Sequence, residues 1–193
     1  MTIKCAGEPE EDPSEDEPSN VYTIGNRVYF WAEVSSTNVA LLIQKLHDAT
    51  DVALSSAYWW SDARVYLYVH SNGGCVFSGL AAMDHIRNNR VPVVTVADGF
   101  VASAATLLLL GSDERKAHKN SRFLMHQLRT GFEGKYAELL DEMENSREVM
   151  SSLSTVYTER TSMNKRQVEN ILRKEIHMTA EEAMENGIVD EVW

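Results

Sequence analysis

Hydrophobic positions in the first two thirds of the chain fall into short runs typical of strands and longer runs with helical spacing. β-Branched and aromatic residues predict strands over residues 27–32, 64–70 and 93–97. Apolar residues three and four apart predict a helix that begins near Ser35 and a second helix over residues 76–88. Nearly continuous apolar strands that alternate with helices favour buried parallel strands in an α/β fold.

From residue 115 onward, one long helical pattern dominates the sequence. Short strands are predicted at residues 115–117 and 122–126, and apolar residues then recur at three- and four-residue steps over residues 135–161. These residues are Tyr136, Leu139, Leu140, Met143, Met150, Leu153 and Tyr157. The pattern predicts a single amphipathic helix. We expect it either to project and pair with another subunit or to pack along its own domain.

Capping signals organise the C-terminal end. Asn164 and Gln167 begin a short helix, and residues 179–182 (Thr-Ala-Glu-Glu) form a capping box for another helix that ends at Gly187. Residues 190–193 predict a final strand.

Composition places these elements in one domain behind an acidic tail. The 193 residues are 44% hydrophobic and 24% charged, with a net charge of −11. Residues 7–20 hold seven acids, three prolines and no base, so residues 1–20 are predicted to be disordered and residues 21–193 to form the folded domain. The tail is either a solvated leader or a docking or solubility segment.

Several classes of function are disfavoured. The chain has no basic stripe, which argues against nucleic-acid binding. The two cysteines, Cys5 and Cys75, are typical of a reducing compartment rather than a disulfide framework. The N-terminus has no apolar signal core, and the longest apolar stretch, residues 101–110, is too short to span a bilayer. We therefore expect a cytoplasmic protein without a membrane partner, and we assign no metal or cofactor.

Candidate chemistry centres on Ser103, which lies between a predicted strand and an apolar helix. His126 follows 23 residues later at the end of another predicted strand. Acyl transfer needs a nucleophile, a base and N–H donors for an oxyanion. The N–H of Ala104 and the flexible turn Gly73-Gly74 are candidate donors. The alternatives are that Ser103 is a close-packing site and that His126 is an ordinary buried histidine.

Residues 28–192 resemble the proteolytic subunit of the Clp protease (the ClpP family), a self-compartmentalised serine peptidase. The resemblance is carried by five segments in family order: Leu-Tyr-Val-His-Ser-Asn-Gly-Gly at 67–74, Gly-Phe-Val-Ala-Ser-Ala at 99–104, Asn-Ser-Arg-Phe-Leu-Met-His-Gln at 120–127, Gly-Phe-Glu-Gly at 131–134, and Thr-Ala-Glu-Glu-Ala with Gly-Ile-Val-Asp at 179–190. It implies the ClpP/crotonase-like fold, with repeated ββα-type units and a protruding long-helix handle.

The resemblance also assigns roles to individual residues. It implies that Ser103 is the nucleophile, that His126 is the general base, and that Gly73 and Ala104 supply the oxyanion N–H groups. The family's triad aspartate matches Glu175, which keeps the charge and adds one methylene. We therefore hypothesise that Glu175 orients His126.

Substrate and partners follow from the same resemblance. A peptide would lie extended between residues Gly74 and Cys75 on one side and Leu128 and Arg129 on the other. The chain would assemble with itself in stacked rings, a pair of heptamers. The family's partner is a Clp-type AAA+ ATPase, but the acidic tail replaces the helix and apolar axial segment that meet it.

The preferred interpretation is a serine endopeptidase that cleaves peptides and unfolded proteins inside a ring chamber. One alternative is a catalytically inactive ring subunit of the same type. The other is an acyl-CoA enzyme of the related crotonase fold, which needs neither a serine nor a histidine at these positions.

Overall fold

The computed structural model describes residues 20–59 and 62–193. The predicted tail over residues 1–20 therefore lies outside the described residues, except for Asn20. The elements in chain order are β1 (Val21–Ile24), β2 (Arg27–Phe30), α1 (Ser36–Ser56), β3 (Val65–Ser71), α2 (Val76–Arg87), β4 (Val93–Ala102), α3 (Ala105–Leu110), β5 (Glu114–Ala117), β6 (Arg122–Leu124), α4 (Tyr136–Arg160), α5 (Lys165–Leu172), β7 (Met178–Thr179), α6 (Ala180–Glu185) and β8 (Glu191–Val192).

The strands form one mixed sheet in the order β1-β2-β3-β4-β5-β8. Strands β2, β3, β4, β5 and β8 run parallel, and β1 is antiparallel to β2 at one edge. Alternate residues of β3, namely Val65, Leu67 and Val69, are buried, as expected of a strand covered by helices. The α/β class predicted from the sequence is confirmed.

Strand β4 is ten residues long and serves two parts of the sheet. Its first half, from Val94 to Ala97, pairs with β5, and its second half, from Phe100 to Ala102, pairs with β6. Gly99 stands between the halves at φ +98°. Ser103 comes directly after this strand, so the position of the candidate nucleophile is set by pairing along both halves of β4.

Helix α3 is buried along its whole length. Each of its six residues, Ala105 to Leu110, has no solvent exposure. Helix α2 packs closely against the start of α3, where a Cβ added at Gly79 would lie 3.0 Å from the carbonyl oxygen of Ala104. The turn at Ser103 is therefore enclosed by packed structure on the side away from solvent.

Most predicted elements form, with small shifts in their ends. Ser35 caps α1 by accepting a hydrogen bond from the Asn38 N–H at 3.2 Å, and Thr179 caps α6 within the predicted capping box. The strand predicted over residues 122–126 ends at Leu124, so His126 lies beyond the strand. The β1–β2 hairpin and the two-residue β7 were not predicted.

Helix α4 has two unlike halves. Near its C-terminus, Leu153 and Tyr157 are buried, whereas Tyr136 near its N-terminus is 78% exposed. Leu139, Leu140 and Met143 are also exposed. The long helix predicted over residues 135–161 is thus confirmed, and its first half presents apolar side chains to solvent.

Candidate active site

The nucleophile turn holds Ser103 in an unusual backbone conformation. Ser103 has φ +54° and is the only non-glycine residue with positive φ among the residues that the structure describes. Its N–H donates to the carbonyl oxygen of Leu124 at 2.7 Å, and its own carbonyl accepts from the Thr106 N–H at 3.0 Å. A left-handed serine persists only where its surroundings fix it, and such residues cluster at functional sites.

Gly73 lies directly against this turn. A Cβ added at Gly73 would stand 2.6 Å from the Cβ of Ser103 and 2.8 Å from the carbonyl oxygen of Ala102. Gly73 also has φ +98°, which disfavours any L side chain. The structure therefore brings together two of the predicted site residues, and only glycine fits this contact.

The two candidate oxyanion donors differ in their present partners. The added Cβ of Gly73 would lie 3.1 Å from the backbone nitrogen of Ala104, so the two peptide segments are adjacent. The Gly73 N–H donates to Ser71 Oγ at 3.1 Å, whereas the Ala104 N–H has no acceptor among the described residues. The Ala104 N–H is thus open to an oxyanion, and the Gly73 N–H would have to leave Ser71.

His126 is half-buried and its tautomer is fixed by a main-chain contact. Its Nδ1 lies 2.7 Å from the carbonyl oxygen of Gln127. Because a carbonyl oxygen only accepts, Nδ1 carries a proton, and in the neutral imidazole Nε2 has the lone pair. Nε2 is the atom that a general base would use. No hydrogen bond joins His126 to Ser103 Oγ within the described part of the chain.

Glu175 lies in the irregular segment between α5 and β7 and is exposed. It does not line the cleft that His126 lines, and no hydrogen bond connects the two side chains in residues 20–59 and 62–193. The Gln127 carbonyl holds the proton of Nδ1 that a triad carboxylate would accept. The role of Glu175 stays a prediction.

Ser103 and His126 line one cleft of about 760 Å³. Its walls come from residues 31–35, residues 70–77, the nucleophile turn, residues 126–130 and one face of α4. The predicted substrate-binding residues Gly74, Cys75, Leu128 and Arg129 all line it. The structure therefore gathers eight of the nine predicted site residues in or beside this cleft, and Glu175 is the exception.

The Gly74 edge is arranged to accept an extended peptide. Val34 donates its N–H to the Gly73 carbonyl at 2.8 Å and accepts from the Cys75 N–H at 2.7 Å. In such a parallel bridge the N–H and C=O of the intervening residue, Gly74, point the other way. These two groups have no hydrogen-bond partner among the described residues, so another strand could pair with them.

The structure adds cleft residues that sequence reasoning missed. His70 lines the cleft, and its Nδ1 lies 3.1 Å from the Phe100 nitrogen and 3.0 Å from the Asp98 carbonyl oxygen. Glu142, which is 8% exposed, lines the cleft from α4. The helical spacing of α4 marked Tyr157 as buried, but the pattern gave no sign of what its hydroxyl contacts.

Neither a metal centre nor a membrane span is found in the described residues. Within residues 20–59 and 62–193, no three or more His, Cys, Asp or Glu side chains are grouped so that they could hold a metal ion. The helices of the same residues are too short or too polar to cross a bilayer.

Comparison with known proteins identifies the family. A model of the Clp protease family matches residues 32–193. ATP-dependent Clp protease proteolytic subunits from Pleurastrum terricola and Chlorella vulgaris are 35% and 32% identical over 127 and 130 residues. Each match covers 65–66% of this chain and 65% of the relative. A third such subunit, from Oltmannsiellopsis viridis, is 32% identical over 66% of this chain and 67% of its own length. This chain therefore belongs to the Clp protease family.

Proposed function

We propose that the protein is a serine-type endopeptidase in which Ser103 attacks the peptide carbonyl. The observation that carries this proposal is the left-handed Ser103 at the wall of a cleft that also contains His126. Ser103 is followed directly by Ala104, whose N–H has no acceptor among the described residues. The residues proposed as nucleophile, base and oxyanion donor line one cleft, which supports the proposal.

The chemistry follows from the tautomer of His126. Its Nε2 accepts the proton of Ser103 Oγ as the oxygen attacks, and the resulting imidazolium gives that proton to the leaving amine. The oxyanion is stabilised by the Ala104 N–H and, once it leaves Ser71 Oγ, by the Gly73 N–H. Water then repeats the sequence on the acyl-enzyme. Glu175 is the proposed carboxylate partner of His126 in the assembled enzyme.

The substrate is a polypeptide bound as an added strand. The N–H and C=O of Gly74 support this, since the pairing with Val34 leaves them pointing away. Affinity from main-chain pairing depends little on the side chains of the peptide, as expected of an enzyme that acts on many polypeptides. Leu128 and Arg129 line the same cleft as Gly74.

Assembly in stacked rings is proposed from the family and from the first half of α4. The exposed apolar side chains of Tyr136, Leu139, Leu140 and Met143 support burial against another subunit. A Clp-type ATPase as partner rests on family membership alone.

The decisive test is labelling with a fluorophosphonate, which reacts only with an activated serine. We expect the wild-type protein to be labelled and Ser103→Ala to remain unlabelled. Ser55→Ala, at the exposed end of α1, is the matched control and should label like the wild type. If the correctly assembled wild type fails to label, the peptidase proposal is wrong.

The second candidate is an inactive ring subunit. It is favoured by one observation, the lack of a hydrogen bond between Ser103 Oγ and His126 among the described residues. Catalytic hydrogen bonds are often long in a free enzyme and tighten only with substrate, so this geometry does not decide. The labelling experiment separates the two candidates.

A further inference from the structure

Two buried hydroxyl groups connect helix α4 to the nucleophile turn. The Oγ1 of Thr106 lies 2.7 Å from the carbonyl oxygen of Ser103, and the Tyr157 hydroxyl lies 2.7 Å from the same Oγ1. Thr106 has no solvent exposure and Tyr157 has 4%. The contact joins residues 51 positions apart in the chain.

The direction of these hydrogen bonds follows from counting donors. The Ser103 carbonyl can only accept, so Thr106 donates its single hydroxyl proton to it. Tyr157 must then donate to Thr106. In the opposite arrangement, the Tyr157 proton would have no acceptor among the described residues, and two oxygen lone pairs would face each other at 2.7 Å.

The donation from Tyr157 to Thr106 also does not depend on pH in the working range of the enzyme. Burial raises the pKa of Tyr157 to about 12, and the hydrogen bond with Thr106 lowers it only in part. Tyr157 therefore remains protonated throughout the range in which a histidine-dependent peptidase works.

The carbonyl oxygen that accepts from Thr106 belongs to the peptide group between Ser103 and Ala104. The carbonyl of Ser103 and the N–H of Ala104 are parts of the same planar peptide unit and point in opposite directions. Holding the carbonyl oxygen inward therefore aims the Ala104 N–H outward. That N–H is the candidate oxyanion donor that has no acceptor among the described residues.

We propose that Tyr157 and Thr106 are positioning residues that fix the peptide group between Ser103 and Ala104 so that its N–H faces the oxyanion. This inference rests on the proposed peptidase function. It gives α4 a direct link to the catalytic turn, through a hydroxyl rather than through apolar packing.

The test compares Tyr157→Phe and Thr106→Val with the wild type. Removing a net hydrogen bond should lower kcat by about threefold to tenfold. KM should not change, because both hydroxyls belong to buried residues and are hydrogen-bonded to each other. The Ki of a peptide aldehyde should rise by the same factor as kcat falls, since its adduct places an oxygen at the oxyanion position. Thr106→Ser keeps the hydroxyl and should retain the wild-type kcat.

Thr95→Val is the matched control. Thr95 is also fully buried and also donates its hydroxyl to a carbonyl, that of Leu109 at 3.1 Å, but it lies away from the cleft. Thermal unfolding of all variants measures the cost in stability. We expect Thr95→Val to lose stability and to keep its kcat and its aldehyde affinity.

The outcomes separate the inference from the function on which it rests. A wild type that is neither labelled nor active overturns both. If the wild type is labelled but Tyr157→Phe and Thr106→Val keep its kcat and Ki, the inference alone is wrong. An equal loss of kcat in Thr95→Val would also overturn it. Should Thr106→Val fail to fold, Tyr157→Phe decides, because the aromatic ring is kept.

Discussion

The two walls of the cleft are held in different ways. On the wall of the nucleophile, Ser103 follows a strand paired along both halves, and its N–H and carbonyl are both hydrogen-bonded. On the wall of the base, residues 125–135 have no helix or strand. That segment is tied by the Gln127 N–H to the Leu172 carbonyl at 2.8 Å and by the Leu128 N–H to Met150 Sδ at 3.1 Å.

Because of this difference, the positions of Ser103 and His126 are fixed to different degrees. The backbone conformation of Ser103, the proposed nucleophile, is set by paired and buried structure, whereas the position of His126, the proposed base, depends on a segment with few hydrogen bonds to the rest of the chain. Alignment of Ser103 with His126 is therefore the property most open to change by assembly or by substrate. The following substitutions act on one wall or the other.

The largest effect is expected at Gly73, on the nucleophile wall. Gly73→Ala would place a methyl group 2.6 Å from the Cβ of Ser103, in a backbone conformation that alanine disfavours. A shift of about 1 Å in a reacting group can cost about 10²-fold in rate, so we expect at least that loss in kcat/KM. Activity on a short peptide measures it.

Gly25→Ala is its matched control. Gly25 also has positive φ, +62°, but an added Cβ would meet nothing within 4 Å. We expect a loss of about 1 kcal/mol in stability from the backbone alone and no loss of activity. If Gly73→Ala retained wild-type activity, the close packing behind Ser103 would be irrelevant to catalysis.

An intermediate effect is expected at Glu175, the proposed partner of His126 outside the cleft. Loss of the correct histidine tautomer costs about 10⁴-fold in another triad. Here the Gln127 carbonyl already fixes that tautomer. We therefore expect Glu175→Gln to lose only the stabilisation of the imidazolium, about tenfold in kcat.

Glu181→Gln, in the exposed first turn of α6, serves as the control for Glu175→Gln and should keep the wild-type kcat. The readout is kcat on a short peptide, measured for both variants and for the wild type. Unchanged activity in Glu175→Gln would mean that Glu175 has no role in catalysis. A loss of about 10⁴-fold would mean that the Gln127 carbonyl does not fix the tautomer of His126.

The smallest effect is expected at Met150. Met150→Leu removes the sulfur that accepts the Leu128 N–H, but it keeps the apolar volume. We expect kcat/KM to fall by about threefold or less, comparable to the weakest net hydrogen bonds. Met184→Leu on the exposed face of α6 is the control. A loss as large as that of Gly73→Ala would show that the base wall is as tightly constrained as the nucleophile wall.

The sequence predicted the fold class, the main helices and the central strands because their apolar spacing is regular. It did not predict β1, since four residues before a Gly-Asn turn carry little pattern, nor β7, which is defined only by pairing with β6. Such short strands exist because a partner lies beside them, and that partner is set by the tertiary fold.

The site was predictable to a similar degree. Ser103 and His126 stand at the ends of recognisable elements, and Gly73 belongs to a glycine turn. Two contacts join distant parts of the chain: that of Gly73 with Ser103 and the hydrogen bond of Tyr157 with Thr106. No local sequence pattern predicts either of them. The match of Glu175 to a family position likewise says nothing about its distance from His126.

Strand β4 has a consequence for how the protein opens. Strand β4 is hydrogen-bonded to β3 on one edge and to β5 and β6 on the other. Its amides can therefore be exposed only when the sheet unfolds, at close to the free energy of global unfolding. The irregular segment around His126 can detach at far lower cost. We therefore expect local opening to displace His126 while Ser103 keeps its backbone conformation.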